Sequence, residues 1–304
     1  MPAMSPVPPA PLPFTDAAAL ERPLPLLGGL SPARFMKRHW QKKPLLVRQA
    51  WPGVQPPLPR AALFDLAGQD GVESRLVQRR GAGTAAADWR VRRGPFARRA
   101  LPPVSRAGWT LLVQGLDLHV PAARTLLEAF RFVPDARLDD LMVSWASDGG
   151  GVGPHLDAYD VFLLQVQGRR RWRIGPLRKG QDHGFVPGAP LKLLSHFEPE
   201  QEWVLEPGDL LYLPPRWGHD GDAVGGDCMT CSVGFRAPSE GELASDLVAR
   251  LADELSEALA DERGASAEPG GHRYRDPGQP PTATPAAVPP ALLDFPRQAV
   301  QRAL

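Results

Sequence analysis

The stretch GGGVGPHLDAYDVFLLQVQGRRRW, residues 149–172, decides how the chain is read. A glycine-rich loop runs into His155-Leu156-Asp157 and then into a long apolar run. On a strand, residues i and i+2 point the same way, so His155 and Asp157 present an imidazole and a carboxylate side by side. Two ligands do not make a metal site. Taken alone, the pair is better read as two polar residues at a strand end.

The surroundings change that reading. From about Leu138 to Phe235 the chain consists of short β-type runs separated by Gly, Pro and Asp: LDDLMVSWA, YDVFLLQVQ, RRRWRIG, EWVLEPGDLLYLPP and CMTCSVGF. This texture predicts an all-β barrel or double sheet. Within it, LEPGDLLYLPPRWGHDG (205–221) is a turn and a short apolar strand that lead to His219. A strand arriving beside His-x-Asp would gather two histidines and one carboxylate on one face of an octahedron, the ligand set of non-haem Fe(II) oxygenases. His39, His119, His183, His196 and His272 have no comparable setting. A three-histidine cupin would show His-x-His and a nearby Glu here, and a halogenase a small residue in place of Asp157. The sequence therefore points to hydroxylation rather than isomerase, storage or halogenase chemistry.

Such a metal leaves positions for 2-oxoglutarate and O2, and the far carboxylate of 2-oxoglutarate needs a cation, best an arginine fork. The run 169–173 offers four. With 155 to 165 alternating on one face and Gln167-Gly168 as a two-residue hairpin turn, 165 pairs with 170, which puts Arg170 on the metal-facing side. Arg169, Arg171 and Arg173 then form a solvated basic row.

The frame around this region is that of a globular protein. There are 304 residues, 43% of them hydrophobic, with 35 basic and 34 acidic side chains for a net charge of +1. That gives no global basic field, so no direct nucleic-acid binding is expected. No segment has the roughly 18 apolar residues needed to span a bilayer and no signal peptide opens the chain, so the expected location is the cytoplasm. Cys228 and Cys231 lack a second pair and read as ordinary strand residues on opposite faces. Proline-rich ends read as tails or linkers. SPARFMKRHWQKKP (31–44) reads as a helix capped by Ser31, opened by Pro32 and stopped by Pro44. HVPAARTLLEAFRFVP (119–134) reads as another. After the β-region, Ser239 and Glu242 form a capping box ahead of a leucine stripe at 243, 247, 251, 255 and 259. That stripe must bury itself on its own chain or on a second copy.

With these residues in place, the chain resembles the JmjC-type 2-oxoglutarate oxygenases, and among them the bacterial ribosomal oxygenases. The matching stretches are KRHWQKKPLLV, ESRLV, GPF, LDDLMVSW, GGGVGPHLDAYDVF, GRRRWRIG, LEPGDLLYLPP and SVGFRAP, covering about 34–238. The resemblance implies an α+β, mainly β fold: a double-stranded β-helix (cupin/JmjC) barrel with N-terminal helices and a C-terminal helical dimerisation segment. It implies hydroxylation of the β-carbon (3-position) of an arginine in the sixteenth large-subunit ribosomal protein, with Fe(II), 2-oxoglutarate and O2. His155, Asp157 and His219 match the iron ligands and Arg170 the 2-oxoglutarate anchor, with Ser144 as a second contact. Asp140, Met142, Tyr159 and Ser232 match the substrate pocket, although Asp140 read alone is a turn carboxylate and Met142 a core residue. The implied layout is a flexible tail (1–20), the oxygenase domain (21–238) and a homodimerisation helix (239–266). A linker follows (267–304), in which HRYRDPGQPP resembles the approach to a winged-helix domain that is truncated or absent. Two other readings stand beside this one: a JmjC-type hydroxylase of another protein or a small molecule, and a non-catalytic cupin dimer scaffold.

Overall fold

A computed structural model describes residues 17–81, 85–177, 184–265 and 288–303. The chain divides into two compact units, Met1–Ala237 and Pro238–Leu304.

The first unit is built on nine described strands: β1 (Leu45–Val47), β2 (Ser74–Arg79), β3 (Trp89–Arg93), β4 (Trp109–Val113), β5 (Leu138–Ala146), β6 (Asp160–Pro176), β7 (Gln201–Leu205), β8 (Leu210–Leu213) and β9 (Trp217–Phe235). All pair antiparallel in the order β1-β8-β6-β9-β5-β4-β2-β3, with β7 also on β6. The two long strands, β6 and β9, pair along almost their whole length. The first half of β6 also pairs with β8 and the second half with β7, so these two strands carry the chain from one part of the sheet to the other.

Four short helices, α1 (Ala17–Glu21), α2 (Pro32–Arg38), α3 (Arg60–Leu66) and α4 (Pro121–Glu128), accompany the sheet. Ser31 caps α2, its hydroxyl accepting from Arg34 N at 3.3 Å, with Pro32 in the first turn. The helix buries Phe35 against Tyr212 (centroids 4.9 Å apart) and Phe162 (5.5 Å). Below it the backbone N–H of Gln41 donates to the Tyr212 hydroxyl (2.8 Å), which donates to Asp160 Oδ1 (2.6 Å), while Gln41 Nε2 donates to Asp160 Oδ2 (3.1 Å). This buried chain of bonds ties the N-terminal segment to the first residue of β6.

Cys228 and Cys231 are both free and buried, in different apolar clusters, as strand residues three apart should be.

Several expectations need correction. There is no hairpin at Gln167-Gly168: β6 runs unbroken through it, and 165 pairs with Thr230, not with 170. Irregularities between Gln165 and Arg169 take up the face change that the hairpin was expected to make. Gly168 sits there at φ +63, and a Cβ would lie 2.8 Å from the Asp227 carbonyl oxygen, so only glycine fits. Arg171 and Arg173 are not a solvated row. They stand opposite Asp222 and Asp220 on β9, and Arg173 Nη1 lies 2.8 Å from both carboxylates. Helix α1 occupies 17–20 of the expected tail, whose remainder lies outside the described residues.

The second unit contains α5 (Glu240–Ala265) and α6 (Pro290–Ala303), the latter within the stretch expected to be linker. The capping box forms reciprocally: Ser239 N donates to Glu242 Oε2 (2.7 Å) and Glu242 N to Ser239 Oγ (3.2 Å). The side chains of Leu255 and Leu259, residues 272–281, and His183 lie outside the described residues. No described helix is long and apolar enough to cross a membrane.

Tyr212→Phe should cost about 1–3 kcal/mol, because it strands the Gln41 N–H and one Asp160 oxygen in a buried site. Urea unfolding should show a lower midpoint with an unchanged slope.

Candidate metal centre

His155 is not in a regular strand. It forms an isolated antiparallel bridge with His219, each backbone N–H donating to the other's carbonyl at 2.9 Å. Residues paired this way project to the same face, and the two rings lie 4.1 Å apart between centroids. Arg216 N donates to the Asp157 carbonyl at 3.0 Å, which holds the next turn of the loop against the start of β9. Asp157 Oδ2 then lies 3.5 Å from His219 Nε2. The ligand-capable atoms of His155, Asp157 and His219 all fall within 4.8 Å of one another, so the three could hold one metal ion.

The tautomers are set from behind. His155 Nδ1 lies 2.9 Å from the Gly153 carbonyl oxygen and His219 Nδ1 2.9 Å from that of Trp217. A carbonyl only accepts, so each Nδ1 carries the proton and each Nε2 keeps its lone pair for a metal. Gly153 makes its contact from φ +79, where a Cβ would meet Leu193 at 2.7 Å and the Trp89 ring at 2.8 Å. Burial, with the His155 imidazole beside it, pulls the pKa of His219 down to about 4, so the ring is neutral at pH 7.

These three residues line a cavity of about 450 Å³. Its far wall carries Arg170, 3% exposed, whose Nε and Nη2 have no hydrogen-bond partner among the described residues. Between Arg170 and His219 stands Trp172, its ring 5.7 Å from the guanidinium carbon and 5.9 Å from the imidazole. Ala223 and Gly221 face Arg170 and Trp172 across the β6–β9 pair, small residues that leave space for the two large ones. A buried guanidinium with two unused donors is costly unless an anion meets it. The donor set therefore fits a divalent metal at one end and a small carboxylate at the other.

Arg170 reaches the cavity through a local device. Gln165, fully buried on the cavity-side row, donates from Nε2 to the Gln167 carbonyl (2.7 Å) and lies 3.3 Å from that of Gly168, while Thr230 Oγ1 donates to its Oε1 (2.9 Å). These bonds pin the irregular step that turns Arg170 inward.

Ser144, Asp140, Met142, Tyr159 and Ser232 all line the same cavity. Met142 and Ser232 are direct cross-strand partners on β5 and β9, and Ser144 pairs with Thr230. Asp140 Oδ2 accepts from Gly115 N at 2.6 Å, so it is a turn carboxylate as well as a lining residue. Burial pushes its carboxyl pKa up. Tyr159 is 40% exposed at the mouth, and burial of its hydroxyl beside the Asp157 carboxylate raises its pKa. Sequence reasoning missed Arg75, Thr110, Gln114, Trp172 and Lys192, which also line the cavity. Arg75 Nη2 donates to Gln114 Oε1 at 3.2 Å, from β2 to the residue just after β4, a pairing that no local pattern announces.

Residues 125–243 match the JmjC domain family. The chain is a JmjC-domain protein. It is 40% identical over 261 residues, 86% of its length, to the ribosomal protein uL16 3-hydroxylase of Escherichia coli (strain K12). It is 35% identical over 211 residues, 69% of its length, to a probable ribosomal oxygenase of Haemophilus influenzae. The chain spans 64% of the first relative and 50% of the second. Among solved structures it is similar to YcfD, a ribosomal oxygenase from Escherichia coli, in complex with cobalt and 2-oxoglutarate: TM-score 0.65, 37% identity, 90% of this chain and 66% of that one. The JmjC, cupin-type fold expected from the sequence is the fold of this chain, its matched region running from α4 into the first residues of α5.

The JmjC centre makes stability depend on pH. The unfolded chain protonates His219 near 6.5 and the folded chain only near 4. The contribution is therefore intact above the first value and lost as pH falls through the second. Between pH 7 and pH 5 the metal-free protein should lose about 2 kcal/mol on this account. Urea unfolding at both values checks it: His219→Gln should flatten the difference, and equal slopes in parent and variant would contradict it.

Proposed function

We propose that this chain is an Fe(II)- and 2-oxoglutarate-dependent protein hydroxylase that oxidises the β-carbon of an arginine in ribosomal protein uL16, in the cytoplasm. The observation that carries the reading is the two-ended cavity: a His155, Asp157, His219 cluster at one end and, at the other, the Arg170 guanidinium, whose Nε and Nη2 have no hydrogen-bond partner among the described residues. The names of the relatives supply the substrate.

In this reading His155 Nε2, an Asp157 oxygen and His219 Nε2 hold Fe(II), and Arg170 holds the far carboxylate of 2-oxoglutarate with Ser144 as a second contact. When bound, these cosubstrates and O2 supply the oxidising chemistry: the keto acid becomes succinate and CO2, taking one oxygen atom, while the other enters the substrate C–H bond. The protein's share is placement. The Gly153 and Trp217 carbonyls keep both imidazoles aimed. Trp172, Leu163, Val161 and Leu112 line the cavity and exclude water from the reacting end. At the mouth, Asp140 and Ser232 are placed to receive a guanidinium, with Met142 and Tyr159 along its aliphatic stem.

Residues 21–238 form the oxygenase domain in this reading and 239–266 the homodimerisation segment. Leu243, Leu247 and Val248 are 56%, 54% and 66% exposed on α5, apolar area that a second copy would cover.

Incubated with Fe(II), 2-oxoglutarate, O2 and a uL16 fragment, the protein should add one oxygen atom to one arginine, read by mass spectrometry, and His155→Ala should not. No mass gain from the parent sinks the assignment, and turnover with other substrates only would move it to a different target. Arg170→Met should raise the KM for 2-oxoglutarate about tenfold or more. Gln165→Met, which cuts the bonds that hold the β6 irregularity, should raise the same constant a few-fold and leave that for Fe(II) unchanged. A parallel rise in both would mean a general loss of structure instead.

A further inference from the structure

The net charge of +1 hides a strong asymmetry. Between 75 and 106 the sequence holds nine arginines, no lysine, and Asp88 as its sole carboxylate. The fold gathers this segment at one margin of the sheet. β3 is an edge strand, paired only with β2, and Arg93 stands directly opposite Arg75. Like charges facing each other across a strand pair repel, so this arrangement costs stability unless an anion meets it. The loop that follows returns to this part of the sheet on both sides of β2: Arg92 Nη1 donates to the Ala100 carbonyl (3.3 Å), which brings the segment bearing Arg99 alongside β3, and Arg79 N donates to the Gly108 carbonyl (2.8 Å), which continues the β2–β4 pairing and brings the segment bearing Arg106 to the end of β2. Arg80, Arg90, Arg93, Arg99 and Arg106 are exposed and have no ion-pair partner among the described residues. Elsewhere the fold does pair its arginines: Arg171 and Arg173 are matched by Asp220, Asp222 and Glu202.

We propose that the arginine-rich β2–β3 edge, with the loop that follows it, binds the phosphate backbone of folded RNA. Arginine used without lysine fits the planar, two-pronged recognition of phosphate. Single-stranded RNA sites stack bases on exposed aromatic rings, whereas Trp89 on this edge is only 6% exposed, so the backbone of a helical RNA is the better match. The edge begins at the cavity mouth, where Arg75 and Arg93 are lining residues. RNA lying along the edge would bring the complementary charge to the Arg75 and Arg93 pair. The RNA contact does not require the hydroxylase activity and can fail separately from it.

The test is fluorescence anisotropy of the full chain with a short labelled RNA duplex of mixed sequence, across a salt series. Binding should weaken linearly in log–log form as salt rises, and the parent's slope reads the phosphate contacts without any substitution. Arg90→Gln/Arg99→Gln/Arg106→Gln, checked for an unchanged melting curve, should bind about tenfold more weakly or worse, with the slope reduced by about 2 to 3. No binding at low salt overturns the proposal and leaves the arginines as guards against edge-to-edge strand pairing. Unchanged binding by the triple variant also overturns it. So does displacement of the duplex by polyglutamate at lower concentration than by unlabelled duplex, which would make an acidic protein the partner.

Discussion

The pairing of β6 with β9 is the constraint on which the rest of the structure depends. Both strands run far longer than an ordinary strand, 17 and 19 residues, and each takes part in two regions of the sheet. At one end their partnership places Leu163 opposite Ser232, and at the other Arg170, Trp172 and Ile174 opposite Ala223, Gly221 and His219. His219 in turn captures His155 through two backbone bonds. A single antiparallel pair therefore sets the mouth, the walls and the metal end of the cavity in fixed relation.

That pairing is useful only because it is interrupted. A perfect two-residue alternation from Val161 would turn Arg170 away from the face that Leu163 and Gln165 share. The irregular step at Gln167-Gly168 shifts the alternation by one, and Gln165 satisfies the carbonyls that the step leaves over. Buried polar groups usually find partners within the fold, and Gln165, Thr230 and Asp160 all do. Among the described residues Arg170 alone has two buried side-chain donors without a hydrogen-bond partner. That contrast gives the cavity its polarity, imidazoles and a carboxylate at one end and an unmet cation at the other.

Charge follows the same logic on a larger scale. On the outer face of β6 and β9, Arg171 and Arg173 stand opposite acids and form a compact network with Glu202. On the β2–β3 edge, Arg75 stands opposite Arg93. Both surfaces are made by cross-strand register, one neutralising its arginines and the other leaving Arg93 exposed with no ion-pair partner among the described residues.

Much of this was legible in the sequence because the signals are local. The capping box at Ser239 and Glu242, the starts of the proline-opened helices and the β texture from 138 to 235 each depend on neighbours a few residues away, and each formed, although α2 ends at Arg38 rather than at Pro44 and α4 at Glu128 rather than near Pro134. The His-x-Asp spacing and the later His219 marked three candidate ligands, and the fold brings their ligand-capable atoms within 4.8 Å of one another. What the sequence did not decide was register. It called for a turn at Gln167-Gly168 where the chain runs straight on, since a glycine at positive φ serves a bulge as readily as a hairpin. It read Arg171 and Arg173 as solvated because their acids lie 47 to 51 residues away on β9, and it missed Gln114 because its tie to Arg75 runs from β2 to the residue just after β4. Spacing along the chain determined which residues were available. Only the tertiary pairing decided which of them face each other, because a shift of one residue in an antiparallel partner exchanges the two faces of the sheet.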